Sequence, residues 1–109
     1  MVLAPDGATL YTAGNDGQIL AWSLPEARLI RPVLRHGWGV NSLALLDADR
    51  LAFGALDGTA AILDIATGAQ TPLAATDTPI QSVRAARGGD RLGYSDTAGN
   101  IAVFDAQGA

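Results

Sequence analysis

The same pattern of residues occurs three times in this chain, at intervals of 41 residues. In each copy a turn dipeptide ending in glycine is followed, five residues after the glycine, by a bulky apolar residue. The dipeptides are Asp16-Gly17, Asp57-Gly58 and Ala98-Gly99, and the apolar residues are Trp22, Leu63 and Phe104. A period of this length, with a turn and an apolar strand in each copy, is typical of a unit of four short strands. The repeat therefore predicts an all-β chain.

The turn dipeptides predict tight hairpins between the second and third strands of each unit. Asp-Gly is favoured in type I′ turns, which need positive φ at both central residues. We therefore expect positive φ at Gly17, Gly58 and Gly99. A helix is not expected, since Pro25 and Pro32 leave the stretch between them too short to form a stable one.

A fourth strand is expected after each third strand. Residues 28–34 fit this strand in the first unit, and residues 69–74 fit it in the second. They contain Pro32 and Pro72, and proline is confined to the edges of sheets because it cannot donate a ladder hydrogen bond. The third unit ends before a fourth strand. These strands should therefore form the outer edge of each unit.

Four-stranded units repeated in this way predict part of a β-propeller. The expected blades span approximately residues 1–35, 36–76 and 77–109, with the last blade lacking its outer strand. A closed propeller needs about four to eight blades. The three blades are thus expected to be a piece of a larger ring, or to complete the ring by self-association.

Alternate residues of the third strands should point to opposite faces of each blade. Residues expected to lie in tightly packed strands are Ile19, Ala21, Ile62, Ile101 and Val103. Residues expected to pack between blades are Leu20, Trp22, Leu63 and Phe104.

The charge pattern argues against binding to nucleic acid or to an anionic membrane. The net charge is −4, the chain has no lysine, and its seven arginines are scattered, whereas phosphate binding needs clustered basic residues. No segment approaches the ~20 apolar residues of a membrane span, and the first residues do not resemble a signal peptide. A cytoplasmic location is the default expectation.

These motifs resemble those of the WD-repeat family of β-propellers, and the resemblance covers nearly the whole chain. Asp16-Gly17 and Trp22-Ser23 lie where that family has its hairpin aspartate and terminal dipeptide. Leu63-Asp64 and Phe104-Asp105 keep the aspartate of the dipeptide but replace its tryptophan. His36, followed by Trp38, resembles the loop that opens a blade in the family.

The family often ties each blade with a His–Asp–Ser/Thr–Trp hydrogen-bonded network, and this chain departs from it. In the second blade His36 and Asp57 match, but Ala55 and Leu63 stand at the Ser and Trp positions. The resemblance therefore implies blades that rest more on apolar packing than on this network.

No combination of residues predicts catalysis or a cofactor site. The chain has no cysteine and one histidine. A triad could be drawn from Ser42, His36 and Asp57, but no nucleophile motif surrounds the serine, so the histidine is interpreted as bracing its loop. Asp47 and Asp49 lack the further ligands of a calcium loop and are interpreted as turn residues.

The loop that opens the second blade is the candidate site. Arg35, His36 and Trp38 are its possible partner-binding residues, since Trp and Arg are favoured at interface hot spots. The interpretation that we favour for Trp38 itself is packing between neighbouring blades, and partner contact is the alternative. The expected function is a non-catalytic scaffold that binds a protein or peptide. The alternative is the propeller portion of a larger bacterial enzyme or electron-transfer protein, whose chemistry lies outside this chain.

Overall fold

Three separate antiparallel β-sheets follow one another along the chain. The computed structural model describes residues 2–4, 7–24, 26–47, 49–73, 78–86 and 90–105. Within these residues every regular element is a β-strand, and each strand pairs with its neighbour in sequence. The all-β prediction is confirmed.

The sheets contain four, four and three strands. The first consists of β1 (Val2–Leu3), β2 (Thr9–Ala13), β3 (Gln18–Ser23) and β4 (Arg28–Arg35). The second consists of β5 (Val40–Leu45), β6 (Arg50–Ala55), β7 (Ala60–Asp64) and β8 (Gln70–Pro72). The third consists of β9 (Ile80–Ala85), β10 (Arg91–Asp96) and β11 (Ile101–Asp105).

The outer strands lie where the prolines predict them. Pro32 lies in β4 and Pro72 in β8, and both strands are sheet edges. The second outer strand is shorter than expected, and Ala74, the last residue of the predicted strand, lies outside the described residues. Proline is tolerated there because an edge strand has no neighbour on one side, so a backbone N–H facing that side is not needed for pairing.

One apolar core lies between the first and second sheets, and another lies between the second and third. We call the face of a sheet toward the next sheet its leading face, and the face toward the preceding sheet its trailing face. Strand β7 shows the division, since Ala61 and Leu63 belong to the core shared with the first sheet, whereas Ala60 and Ile62 belong to the core shared with the third. Successive side chains of a strand point to opposite sides. The second sheet is therefore buried on both faces.

Small residues on the leading face of the second sheet let the third sheet approach closely. Ala44, Ala52 and Ala60 are all buried there. Gly54 lies directly against the third sheet, because a Cβ at this position would collide with Ile80. This packing explains why alanine and glycine occupy positions where a strand usually has a larger residue.

Polar bonds cross both junctions between sheets. The Arg31 guanidinium donates to the Ile65 carbonyl oxygen at 2.8 Å, from the first sheet to the turn after β7. The Val83 amide donates to Ser42 Oγ at 3.0 Å, between the second and third sheets. Such bonds fix the position of one sheet on the next, in addition to the apolar contact.

The hairpin turns confirm the expected glycines but not the expected turn type. Gly17, Gly58 and Gly99 have φ of 83°, 86° and 89°. Among the described residues, Ala27 is the one non-glycine with positive φ, so Asp16 does not adopt the type I′ conformation. The Gly17 amide instead donates to the Gly14 carbonyl at 3.1 Å. This closes a four-residue turn whose last residue is the positive-φ glycine, a geometry common in longer hairpin loops.

The packing predicted for the third strands of the first and third sheets is confirmed in part. Ile19 and Ala21 are buried and Phe104 packs against the second core, as expected, but the prediction is wrong for other residues of these strands. Ile101 and Val103 are 78% and 66% exposed, because they lie on the leading face of the third sheet, where no described residue covers them. Trp22 is half-buried rather than packed between sheets, since it lies on the trailing face of the first sheet. Its indole Nε1 donates to Thr12 Oγ1 at 3.0 Å.

Candidate functional site

The candidate site is the loop at residues 36–39, which joins β4 to β5 and so links the first sheet to the second. Its backbone is bonded to the β2–β3 turn of the first sheet. The His36 amide donates to the Gly17 carbonyl at 2.7 Å, and the Val40 amide donates to the Gly14 carbonyl at 3.0 Å. The loop is therefore held at both ends by one hairpin.

Gly17 allows this close approach. A Cβ at this position would collide with the His36 carbonyl oxygen and lie 2.9 Å from that of Trp38. The glycine is buried and has positive φ. Its conformation and its lack of a side chain are both required here.

The other side of the loop rests on the β6–β7 turn of the second sheet. The Leu56 amide donates to the Gly39 carbonyl at 2.8 Å. A Cβ on Gly39 would lie 2.9 Å from Leu56 Cδ1 and 3.1 Å from the Asn15 backbone. The loop is therefore fixed between turns of two neighbouring sheets.

The His36 side chain holds the loop against the second sheet. Its Nε2 lies 3.3 Å from Asp57 Oδ2, and its ring meets Phe53 edge-on at a centroid distance of 5.5 Å. Burial raises the pKa of Asp57, but hydrogen bonds from Thr59 and His36 outweigh burial, so this pKa lies below its ordinary value. The carboxylate is thus ionised at neutral pH and accepts from two neighbours. This arrangement fits the bracing role expected of the histidine.

Trp38 projects from this fixed loop into solvent. It is 64% exposed, so the interpretation that it packs between neighbouring sheets is wrong. The reason is that the buried Gly39, rather than Trp38, is the residue that lies against the turns. Arg35 is also exposed, at the end of β4. Leu56 is 37% exposed on the adjoining turn, which adds a second apolar side chain to the same rim.

The other residues considered for chemistry take part in structural bonds. Ser42 Oγ accepts from the Val83 amide. Asp47 accepts from the Asp49 amide at 2.9 Å and pairs with the Arg50 guanidinium at 3.0 Å, as its interpretation as a turn residue requires. Within the part of the chain that the structure describes, no group of three His, Cys, Asp or Glu could hold a metal. The same residues include no helix long and apolar enough to cross a membrane.

An open cavity of about 420 Å³ lies along the inner strands β5 and β9. Asn41, Ser42, Ser82 and Arg84 contribute polar groups to its wall. The Asn41 side-chain Nδ2 donates to the Ile80 carbonyl at 3.0 Å. These side chains therefore serve in part to hold the second and third sheets together.

Comparison with known proteins identifies the fold but no family. The chain matches no protein-family model and no curated protein. Among solved structures 762 chains match. One is the crystal structure of the computationally designed Ika4 protein, with a TM-score of 0.77 and 17% identity. The match covers 90% of this chain and 60% of the designed one. At this identity the likeness concerns the fold alone.

Asp96 is a structurally important residue that the repeat pattern did not reveal. The third turn has Ala98 where the first two have aspartate. Asp96 replaces it from two residues upstream, where its carboxylate accepts from the Asn100 amide at 2.8 Å and the Ala98 amide at 3.0 Å. The Asn100 side chain also donates to it, and these bonds lower the pKa of this buried carboxyl to about 2. The Asp-x-x-Gly spacing before Gly99 was the available signal.

Proposed function

We propose that this chain forms three consecutive blades of a WD-repeat-like β-propeller and serves as a non-catalytic scaffold that binds a protein or peptide. The 41-residue sequence repeat supports the architecture, as does the face-to-face packing of consecutive sheets of four, four and three strands. Propeller blades are sheets of four strands, as the first two sheets are. The rim loop is the proposed binding site, with the exposed Arg35 and Trp38 as its contact residues and His36 holding the loop in place.

The observation that carries the proposal is an exposed tryptophan on a rigid loop. Exposed apolar residues in isolation are common, but Trp38 stands on a backbone bonded to the turns of two sheets. A large side chain that is already positioned loses little conformational entropy when a partner covers it. Tryptophan is also among the residue types that dominate binding energy at interfaces. Leu56 extends the apolar surface on the neighbouring turn.

The polar residues of the rim support a binding role rather than a catalytic one. The His36 imidazole is engaged with Asp57 and packed against Phe53. A histidine serving as a base must reach the proton that it abstracts, whereas this one is directed into the fold and has a side chain that is 17% exposed.

Selection from a random peptide library tests the proposed site. Peptides enriched on the parent chain should bind Trp38→Ala at least about 30-fold more weakly, because loss of a hot spot costs about 2 kcal/mol or more. Ile30→Ala is the matched control, since Ile30 is an exposed apolar residue on β4, away from the rim loop. A Trp22→Phe background leaves Trp38 as the sole tryptophan of the chain, so its fluorescence should shift when a peptide binds.

Two results would contradict the proposal. One is that no peptide is enriched on the parent chain. The other is that enriched peptides bind Trp38→Ala as tightly as they bind the parent, with no change in the fluorescence of Trp38.

A further inference from the structure

The first and third sheets each have one face that no described residue covers. On the trailing face of the first sheet, apolar side chains extend from the inner strand to the outer strand. They are Leu3, Leu10, Leu20, Trp22 and Leu29, all of them exposed or half-buried. On the leading face of the third sheet, Ile101 and Val103 are the most exposed large apolar residues of the described chain. Solvated apolar surface of this kind is stabilised by burial, at about 25 cal/mol per Å².

These two faces are the kinds of face that pack together elsewhere in the same molecule. At both internal junctions the leading face of one sheet covers the trailing face of the next. Trp22 occupies the repeat position of Leu63 and Phe104, which contribute to the first and second cores. Val103 occupies the repeat position of Ile62, which is buried. The leading face of the third sheet and the trailing face of the first are therefore the two kinds of face that each internal junction brings together.

Charged residues lie at the edges of the leading face. Arg91 and Asp105 are opposite each other on β10 and β11, and Arg84 lies on the inner strand β9. Arg84 is the counterpart of Ala44, because the inner strands of the second and third sheets are 40 residues apart in sequence. It also lines the open cavity along the inner strands. A long arginine side chain can keep its guanidinium in water there while its methylenes cover apolar surface. This charge is therefore compatible with a sheet packed against Ile101 and Val103.

We propose that a second copy of this chain occupies both faces, with the third sheet of each copy packed on the first sheet of the other. Two copies supply six sheets, which lies within the range of about four to eight found in closed propellers, whereas three copies exceed it. Each junction joins two different faces, and a two-fold axis relates the two junctions, so a dimer closes the ring and uses both faces of each copy. The inference rests on the propeller architecture proposed above but not on the rim loop.

The mass of the 109-residue chain in solution is the direct test. Sedimentation equilibrium of the parent should give twice the 11.1 kDa mass of one chain. Val103→Arg should give a single-chain mass at concentrations where the parent is dimeric, because it places an unpaired charge in the junction. Val103 is exposed within one copy, so the variant should keep its far-ultraviolet circular dichroism. Trp38→Ala, on the rim, should leave the dimer intact and so separates this inference from the proposed binding site.

Mixing two defective variants tests the orientation of the contact. Leu3→Arg damages the trailing face of the first sheet, and Val103→Arg damages the leading face of the third. A mixture contains one undamaged junction, formed by the third sheet of the Leu3→Arg chain on the first sheet of the Val103→Arg chain. The other junction carries both arginines and stays open. The mixture should therefore form dimers joined at one junction, which neither variant forms alone.

Other outcomes would overturn the proposal. A monomeric parent at high concentration would show that something other than a second copy covers these faces. A series of growing oligomers would show that the ring does not close. A dimer that Val103→Arg leaves intact, or a mixture that remains monomeric, would place the contact on other surfaces.

Discussion

The second and third sheets have nearly the same strand pattern but opposite environments on their leading faces. Ala60 and Ile62 in β7 are 0% and 3% exposed, because the third sheet covers them. Ile101 and Val103 lie 41 residues later, at the same positions of β11, and are largely exposed. Repeat proteins draw their stability from contacts between neighbouring units as well as from each unit. The comparison shows that the repeat encodes a strand with two apolar faces, and that the neighbour determines whether both are buried.

The largest expected difference comes from truncating the matched pair Ile62 and Val103 in dilute solution, where a second copy is dissociated. Ile62→Ala should lower the free energy of unfolding by about 2–5 kcal/mol, because it leaves a cavity in the second core. Val103→Ala should change it by about 0.5 kcal/mol or less, as is usual for exposed positions. Denaturant melts measure both. Equal losses would contradict the difference between the two sheets.

A second matched pair compares the turns of the first and third sheets. Gly17 and Gly99 both have positive φ, so alanine should cost about 1 kcal/mol at either position. At Gly17 the new Cβ also collides with the rim loop, whereas at Gly99 it meets nothing within 4 Å. Gly17→Ala should therefore cost about 1–3 kcal/mol more. Equal costs in denaturant melts would show that the loop at residues 36–39 is not held by this turn.

The smallest effect concerns acid stability of the third turn. The depressed pKa of Asp96, about 2 against an ordinary 3.8, means that its carboxylate stabilises the folded chain above about pH 4. Because a lowered pKa favours the ionised form in the folded state, this contribution is lost as pH falls from about 4 to about 2. Asp96→Asn should lower the midpoint denaturant concentration at pH 7. Between about pH 4 and about pH 2 the midpoint of the variant should fall less than that of the parent. Asp16→Asn, at an exposed turn, is the control. An unchanged acid profile in Asp96→Asn would contradict the assignment.

The sequence predicted what depends on local backbone chemistry. The three positive-φ glycines and the prolines in outer strands follow from turn and edge preferences within one sheet. The exposure of Ile101 depends on which sheets are present beside it, and a period of apolar residues does not contain this information. The role of Asp96 was missed because the repeat aligns Asp16 and Asp57 with Ala98, whereas the aspartate of the third turn lies two residues upstream of that position.

The sequence predicted the candidate loop but not the way in which its side chains pack. The glycines around Trp38 predicted a loop, and the bracing of His36 by Asp57 fits the interpretation from sequence. The exposure of Trp38 depends on how closely Gly39 approaches Leu56 and Asn15. That approach joins residues of two sheets and has no counterpart in local sequence preference.

Thiol labelling of two equivalent positions tests the account most directly. The chain has no cysteine, so Ala60→Cys and Ile101→Cys each introduce a single reactive group. The thiol at position 60 should resist labelling at every protein concentration, because the third sheet covers it. The thiol at position 101 should label rapidly in dilute solution and progressively more slowly as concentration rises and a second copy covers it. Equal labelling of the two positions, or protection of position 101 at the lowest concentration, would contradict the account.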